Sequence, residues 1–288
     1  MEGIYILCIL ISACAHALYN YLMHSSGGSK LFLLFMFLIA ACTSVIILLF
    51  SQHAIHIPLT HCITIYAASL FYVLYQISVS KAYEKGEISR LYPLTVLSPV
   101  FVPIWATFFL QETISRGVLI GIIITILGTI SIKQKSYTNI RHYFSKENSY
   151  KGAGIAILAS IFYSFGAVFD KASIESFELS SYLAVLLTCM ALNMLIINII
   201  FDKHIFSHVR TIRTIPVLAA GIIAYISFYT FRVALQHVDV SIAVPIRVSS
   251  VLFAVILGLT FGKEHISRNT IIGIFTIISG IVIINFSV

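Results

Sequence analysis

Residues 31–80 run for 50 positions without a single Asp, Glu, Lys or Arg. A water-facing domain carries about a quarter charged residues, so this stretch points to a lipid environment. The pattern recurs at 3–29, 91–111, 117–132, 152–169, 179–201, 214–231 and 269–288. Runs of roughly 18 or more such residues read as transmembrane helices, because about 20 residues at 1.5 Å rise cross about 30 Å of hydrocarbon. Only 10% of the whole chain is charged and 59% is apolar. These features exclude a soluble enzyme, a nucleic-acid binder and a disulfide-stapled secreted domain, and define a polytopic all-α membrane protein.

Ten spans are predicted near 3–23, 31–50, 60–80, 89–110, 116–133, 152–170, 180–201, 214–235, 241–262 and 267–286. The polar stretch 51–56 followed by Pro58 divides the longest run in two. The basic segment 134–151 reads as a linker between residues 1–133 and 152–288, and no room is left for a soluble domain. Cys8, Cys14, Cys42, Cys62 and Cys189 all lie in or beside apolar spans, which suits reduced, small-hydrophobe roles. Ile11-Ser12-Ala13-Cys14 looks like a lipoprotein cleavage box, but the segment before it has Glu2 and no basic residue, so the first span is expected to remain.

Shifted by 152 positions, residues 82–132 lie on 234–284 without a gap, with 18 identities in 51 positions. The matches include Ser89/Ser241, Pro93/Pro245, Ser98/Ser250, Glu112/Glu264, Ser115/Ser267, Arg116/Arg268, Gly121/Gly273 and Gly128/Gly280. Shared apolar composition does not produce Glu-x-Ile-Ser-Arg twice with paired glycines at the same distance. Five spans per half is an odd number, so the second half enters the membrane in the opposite sense. Such inverted repeats are a design of secondary transporters, with the solute near the midplane between the halves.

Ser115 and Ser267 are placed to N-cap spans five and ten, and Glu112 and Glu264 to reach Arg116 and Arg268 one turn on. These residues, with Pro93 and Pro245, are assigned structural roles. The glycine pairs put small residues on one helix face, so spans five and ten are expected to pack closely, within the bundle or against a second copy as a homodimer.

Two five-span halves, a fourth span bearing Pro and Ser, and Glu112-x-Ile114-Ser115 followed by Gly121 resemble the EamA-type branch of the drug/metabolite transporter superfamily. In the first span, Ser12 and His16-Ala17-Leu18-Tyr19-Asn20 are similar to that branch's Ser-x-x-x-His-Ala-x-aromatic-Asn pattern. The chain departs from the branch at His24, where a Lys is frequent, and at Val251, opposite Pro99. The resemblance implies export or exchange of small metabolites across the cytoplasmic membrane without ATP, with no cofactor and no catalysis.

Polar groups within a bilayer are costly, so each is a candidate site. Arg247 stands about six residues into span nine. It either snorkels to the headgroups from a helix starting at Pro245 or faces a cavity. Residues 248–262 alone are too short to span, which favours a start before Pro245 and a cavity-facing Arg247. Arg232, near the end of span eight, would approach the same membrane face. A guanidinium pair would favour a substrate carboxylate or phosphate through bidentate bonds. His16, Tyr19 and Asn20 share a face of span one; Tyr72, Tyr75 and Gln76 share one of span three; Tyr225, Tyr229 and Arg232 share one of span eight. These tyrosines suit either a pocket for a small amphipathic metabolite or interfacial and interhelical packing.

All 11 acids fall in connections or at helix ends in this segmentation, so no carboxylate is expected inside the membrane to serve a cation or a proton relay. His16 is then the candidate for any proton coupling. His53, His56 and His61, and likewise His204 and His208, have spacings open to metal, but solvated histidines fit them better and no metal site is assigned. An integral membrane enzyme or lipid-headgroup handler would need converging acid, base and nucleophile, for which His237 and Asp239 are the nearest residues. A non-transporting scaffold is the other alternative. Of the 18 Lys and Arg residues, 14 fall in the odd-numbered connections, which places those inside and both termini outside the cytoplasm.

Overall fold

The computed structural model describes residues 3–26, 30–51, 58–85, 91, 94–133, 147–174, 177–201, 214–261 and 268–287. Their regular structure is helical: α1 Gly3–Ser25, α2 Lys30–Ser51, α3 Leu59–Glu84, α4 Ser98–Leu110, α5 Arg116–Lys133, α6 Glu147–Ile174, α7 Leu179–Phe201, α8 Thr214–Leu235, α9 Val240–Arg247, α10 Ser250–Thr260 and α11 Arg268–Phe286. Among the described residues eight spans are long and apolar enough to cross a membrane, α9 and α10 together forming one of them, and α4 and α5 are shorter apolar helices. This is the ten-span membrane fold, with span nine broken in two. Side chains such as Phe108 and Phe275 stand exposed on its outer faces, where only lipid makes such a surface favourable.

The packing obeys the repeat. If spans one to five are exchanged with six to ten, the α1–α8 pair becomes the α6–α3 pair, and the α2–α8 pair becomes α7–α3. The α2–α7 and α5–α11 pairs map onto themselves, so they straddle the axis. Both run antiparallel: Ser51 at the end of α2 meets Ser180 at the start of α7, and Gly121 meets Gly280 while Gly128 meets Gly273. Repeat mates can be antiparallel neighbours only when one half is inverted. The two-fold axis therefore lies in the membrane plane.

The glycine faces of spans five and ten are filled within the chain rather than left for a second copy. A Cβ on Gly128 would stand 2.7 Å from the Ile277 nitrogen, and one on Gly280 would stand 2.7 Å from the Gly121 carbonyl oxygen. Both contacts are with backbone, which cannot rotate away. Gly128→Val should lower stability by about 1–3 kcal/mol or more through overpacking, read as a fall in the melting temperature of the purified protein. An unchanged melting temperature would mean that the two helices are not in contact.

Glu112 does not turn to Arg116. Its carboxylate accepts the Val240 N–H at 2.9 Å and the Ser241 N–H at 3.1 Å, and so caps α9 in the other half. The physical reason is burial. Glu112 is 8% exposed, whereas Arg116 lies on the surface, where an ion pair contributes about 0–1 kcal/mol. Gln111, left-handed at φ 58°, ends α4 and turns the chain toward that cap. Ser115 does cap α5, accepting the Val118 N–H at 3.2 Å. Arg268 opens α11 on the surface, and Pro245 is buried inside α9. Pro93, Glu264 and Ser267 lie outside the described residues. Glu112→Ala should cost about 1–2 kcal/mol by orphaning two buried N–H groups, and Glu112→Gln less, as thermal unfolding would show.

Candidate functional site

Span nine stops being a helix at its centre. Pro245 brings no N–H to the ladder, α9 ends at Arg247, and α10 starts at Ser250 after a two-residue turn. The break stays internally bonded: the Val248 N–H reaches the Val244 and Pro245 carbonyls, and the Ser249 N–H reaches Ile246. Span four is interrupted at the corresponding place, just before α4. There the Ser160 hydroxyl, from α6, accepts the Leu97 N–H and donates to the Leu94 carbonyl, stitching the gap. Interrupted helices at matching positions of two inverted halves mark a transporter's binding region.

A cavity of about 40 Å³ lies between the two breaks, lined by His16, Tyr75, Thr95, Val96, Ser98, Tyr163, Val244, Arg247, Val248 and Ser250. Three pairs in this lining are repeat mates at the 152-residue offset: Thr95/Arg247, Val96/Val248 and Ser98/Ser250. The cavity therefore sits on the pseudo-two-fold axis. His16, Tyr75 and Tyr163 come from near the middles of α1, α3 and α6, which sets it at the membrane midplane. It has room for a few waters.

Arg247 dominates the chemistry. It is 7% exposed and donates to the Tyr163 hydroxyl at 2.9 Å and the Ser227 hydroxyl at 3.4 Å. Its guanidinium lies 4.4 Å over the Phe231 ring, and its Nε has no partner. No carboxylate among the described residues is paired with it. Beside it, the His16 Nδ1 and Tyr19 hydroxyl are 2.5 Å apart, while Asn20 donates to the His16 carbonyl and so stiffens this turn of α1. Ser12 and Ser227 exchange hydroxyl-to-carbonyl bonds of 2.7 and 2.9 Å, which fixes α1 against α8 next to Arg247.

The other expected residues divide. Arg232 does not join Arg247 as a second anion-binding group. It is fully buried and paired with Asp170 at 2.5 Å. Tyr72 donates to the same carboxylate at 2.7 Å, and the Tyr182 hydroxyl bonds its other oxygen. The sequence reading put Asp170 at the end of span six, with no carboxylate inside the protein's membrane region. The structure corrects this: α6 continues to Ile174, and Asp170 is buried within it, where the Arg232 guanidinium offsets the cost of its desolvation. Lys171 caps α8 by donating to the Leu235 carbonyl at 2.8 Å. Tyr225 stacks on Tyr229, which is 40% exposed, and neither lines the cavity; nor does Gln76. His61 packs edge-on against Phe177, and exposed His237 stacks on Tyr5. His53, His56, His204 and His208 lie outside the described residues.

Sequence reasoning missed Tyr163, Thr95, Ser98 and Ser250 as lining residues. Ser98 and Ser250 were already visible as a repeated pair, and Thr95 aligns with Arg247, so the repeat itself carried the signal. Tyr163 had no such mark.

The comparisons with known proteins agree with this architecture. A solved structure described only as the crystal structure of a protein is similar over 98% of this chain and 96% of its own, with a TM-score of 0.78 and 15% identity, which shows the fold alone. An uncharacterized transporter of Archaeoglobus fulgidus is 30% identical over 84 residues, a match that spans 29% of each chain. The profile of the EamA-like transporter family matches residues 3–133 and again 150–286. The chain therefore belongs to the EamA-like transporter family and is a multi-pass membrane protein.

Proposed function

We propose that the protein moves a small anionic or zwitterionic metabolite, of amino-acid or organic-acid type, across the cytoplasmic membrane by alternating access, as an exporter or exchanger. The observation that carries this reading is Arg247: a buried guanidinium without a counter-ion among the described residues, at a helix break, in a cavity shared by two inverted halves. A solute carboxylate would supply the missing charge through a bidentate contact. The two halves, 1–133 and 152–288, would rock about the axis through the α5–α11 and α2–α7 contacts. The basic connections face the cytoplasm and both termini face outward, in keeping with the distribution of Lys and Arg.

The test is flux. Proteoliposomes holding the purified protein should take up amino or organic acids saturably, and should not do so with Arg247→Gln. Uptake by the variant at the wild-type rate would remove Arg247 from the mechanism. No saturable uptake of any small solute by the wild-type protein would remove the transport assignment to these solutes.

A further inference from the structure

Resting on that reading, and narrowing it, we infer that the carried solute is an organic monocarboxylate without an α-ammonium group: a 2-oxo or 2-hydroxy acid rather than an amino acid. The described lining offers donors for a carboxylate and nothing charged for an ammonium. Arg247 supplies the positive charge, and the hydroxyls of Ser98 and Ser250 supply further polar contacts. With Nδ1 of His16 beside Tyr19, Nε2 is the ring nitrogen left for a solute. Even as an acceptor, a neutral ring nitrogen gives an ammonium one bond and no counter-charge.

The broken helices sharpen the point. Unwound carbonyls at a helix break are the usual resort of a cation in a membrane site. Here those of Val244, Pro245, Ile246, Val248 and Ser249 each accept a main-chain N–H, so that of 244–249 only the Arg247 carbonyl has no main-chain donor among the described residues, and that of Leu94 accepts the Ser160 hydroxyl. The N-terminal ends of α4 and α10 begin at cavity-lining Ser98 and Ser250, so the positive ends of two helix dipoles face the same space. The buried carboxylate of Asp170 is committed to Arg232, Tyr72 and Tyr182.

In an amino acid one carbon joins the carboxylate to the ammonium. A molecule bound to Arg247 by its carboxylate therefore holds its ammonium within a few ångströms of the guanidinium, desolvated and opposed. Replacing that ammonium by an oxo or hydroxyl oxygen removes the repulsion and gives the nearby hydroxyls a partner. A single guanidinium also neutralises one negative charge, which favours a monoanion over a phosphate dianion. Val96, Val244, Val248 and the rings of Tyr75 and Tyr163 would surround an apolar body.

The experiment uses matched pairs that differ only at C2: pyruvate and alanine, 4-methyl-2-oxopentanoate and leucine, phenylpyruvate and phenylalanine. Each competes for saturable uptake in proteoliposomes of the full-length protein. The expected result is that in at least one pair the oxo acid inhibits at 10-fold or lower concentration than its amino acid, and in none is the order reversed. Arg247→Lys, which keeps the charge but loses the fork, should weaken the oxo acid at least 10-fold without reversing the order. Equal or stronger inhibition by amino acids in every responding pair overturns the inference and leaves the transporter reading standing, and so does uptake that none of the six affects. Absence of saturable uptake of any solute overturns both.

Discussion

Reconstituted Arg247→Gln protein should show flux at least about 100-fold below wild type while unfolding within a few degrees of it. The first part follows because one desolvated, bidentate charge contact contributes on the order of 3–5 kcal/mol when a partner is left unpaired. The second follows from what the empty site does to the fold. Arg247 holds its charge at 7% exposure against two hydroxyls and a ring, with Nε unbonded. Such a group stabilises the fold little, and a neutral residue that can still hydrogen-bond relieves its desolvation. Lost flux with an intact melting temperature is the signature of a binding residue. A collapse of stability in parallel with flux would make Arg247 a structural residue, and the anion site would have to be sought elsewhere.

Asp170→Asn should behave in the opposite way, with a loss of about 3–5 kcal/mol of stability, because removing one partner of a buried ion pair strands the other. The carboxylate gathers four helices at once: its own α6, Arg232 from α8, Tyr72 from α3 and Tyr182 from α7. Arg232 is fully buried, with its Nε already unpartnered, so no water can replace the lost charge. The double variant Asp170→Asn/Arg232→Met should recover much of the loss, since a neutral pair of similar volume removes both desolvation penalties. Thermal unfolding of the two single variants and the double variant decides it. Additive losses would mean that the two side chains do not act as a pair.

The contrast between the two arginines shows where the sequence was legible and where it was not. Charge-free runs located every span but the ninth, which Arg247 interrupts, and the 152-residue repeat located the axis, because lipid imposes length and the repeat imposes inversion. Arg247 stood out because a guanidinium inside a span admits few explanations. Arg232 looked equivalent. Its partner sits 62 positions away, and no local pattern announces a contact across that distance. Asp170 was misplaced because one further turn of α6 is polar enough to resemble a connection. Glu112 was given to Arg116 for the same reason: local spacing offered a partner, while the true acceptor role lay across the repeat at Val240 and Ser241. The break at Val248 and Ser249 was not foreseen either, although Pro245 marked its approach.

The central claim is that one cavity on the inversion axis opens to either side in turn. Ser250 and Ser98 line that cavity from the two halves and are each nearly buried, at 9% and 6% exposure. The direct measurement is thiol labelling of Ser250→Cys and, separately, Ser98→Cys, in protein whose Cys8, Cys14, Cys42, Cys62 and Cys189 are replaced. A membrane-impermeant reagent is applied to right-side-out and then to inverted vesicles. The account predicts that each thiol is modified from both sides and that a transported solute slows both reactions. Modification from one side only, at both positions, would contradict it.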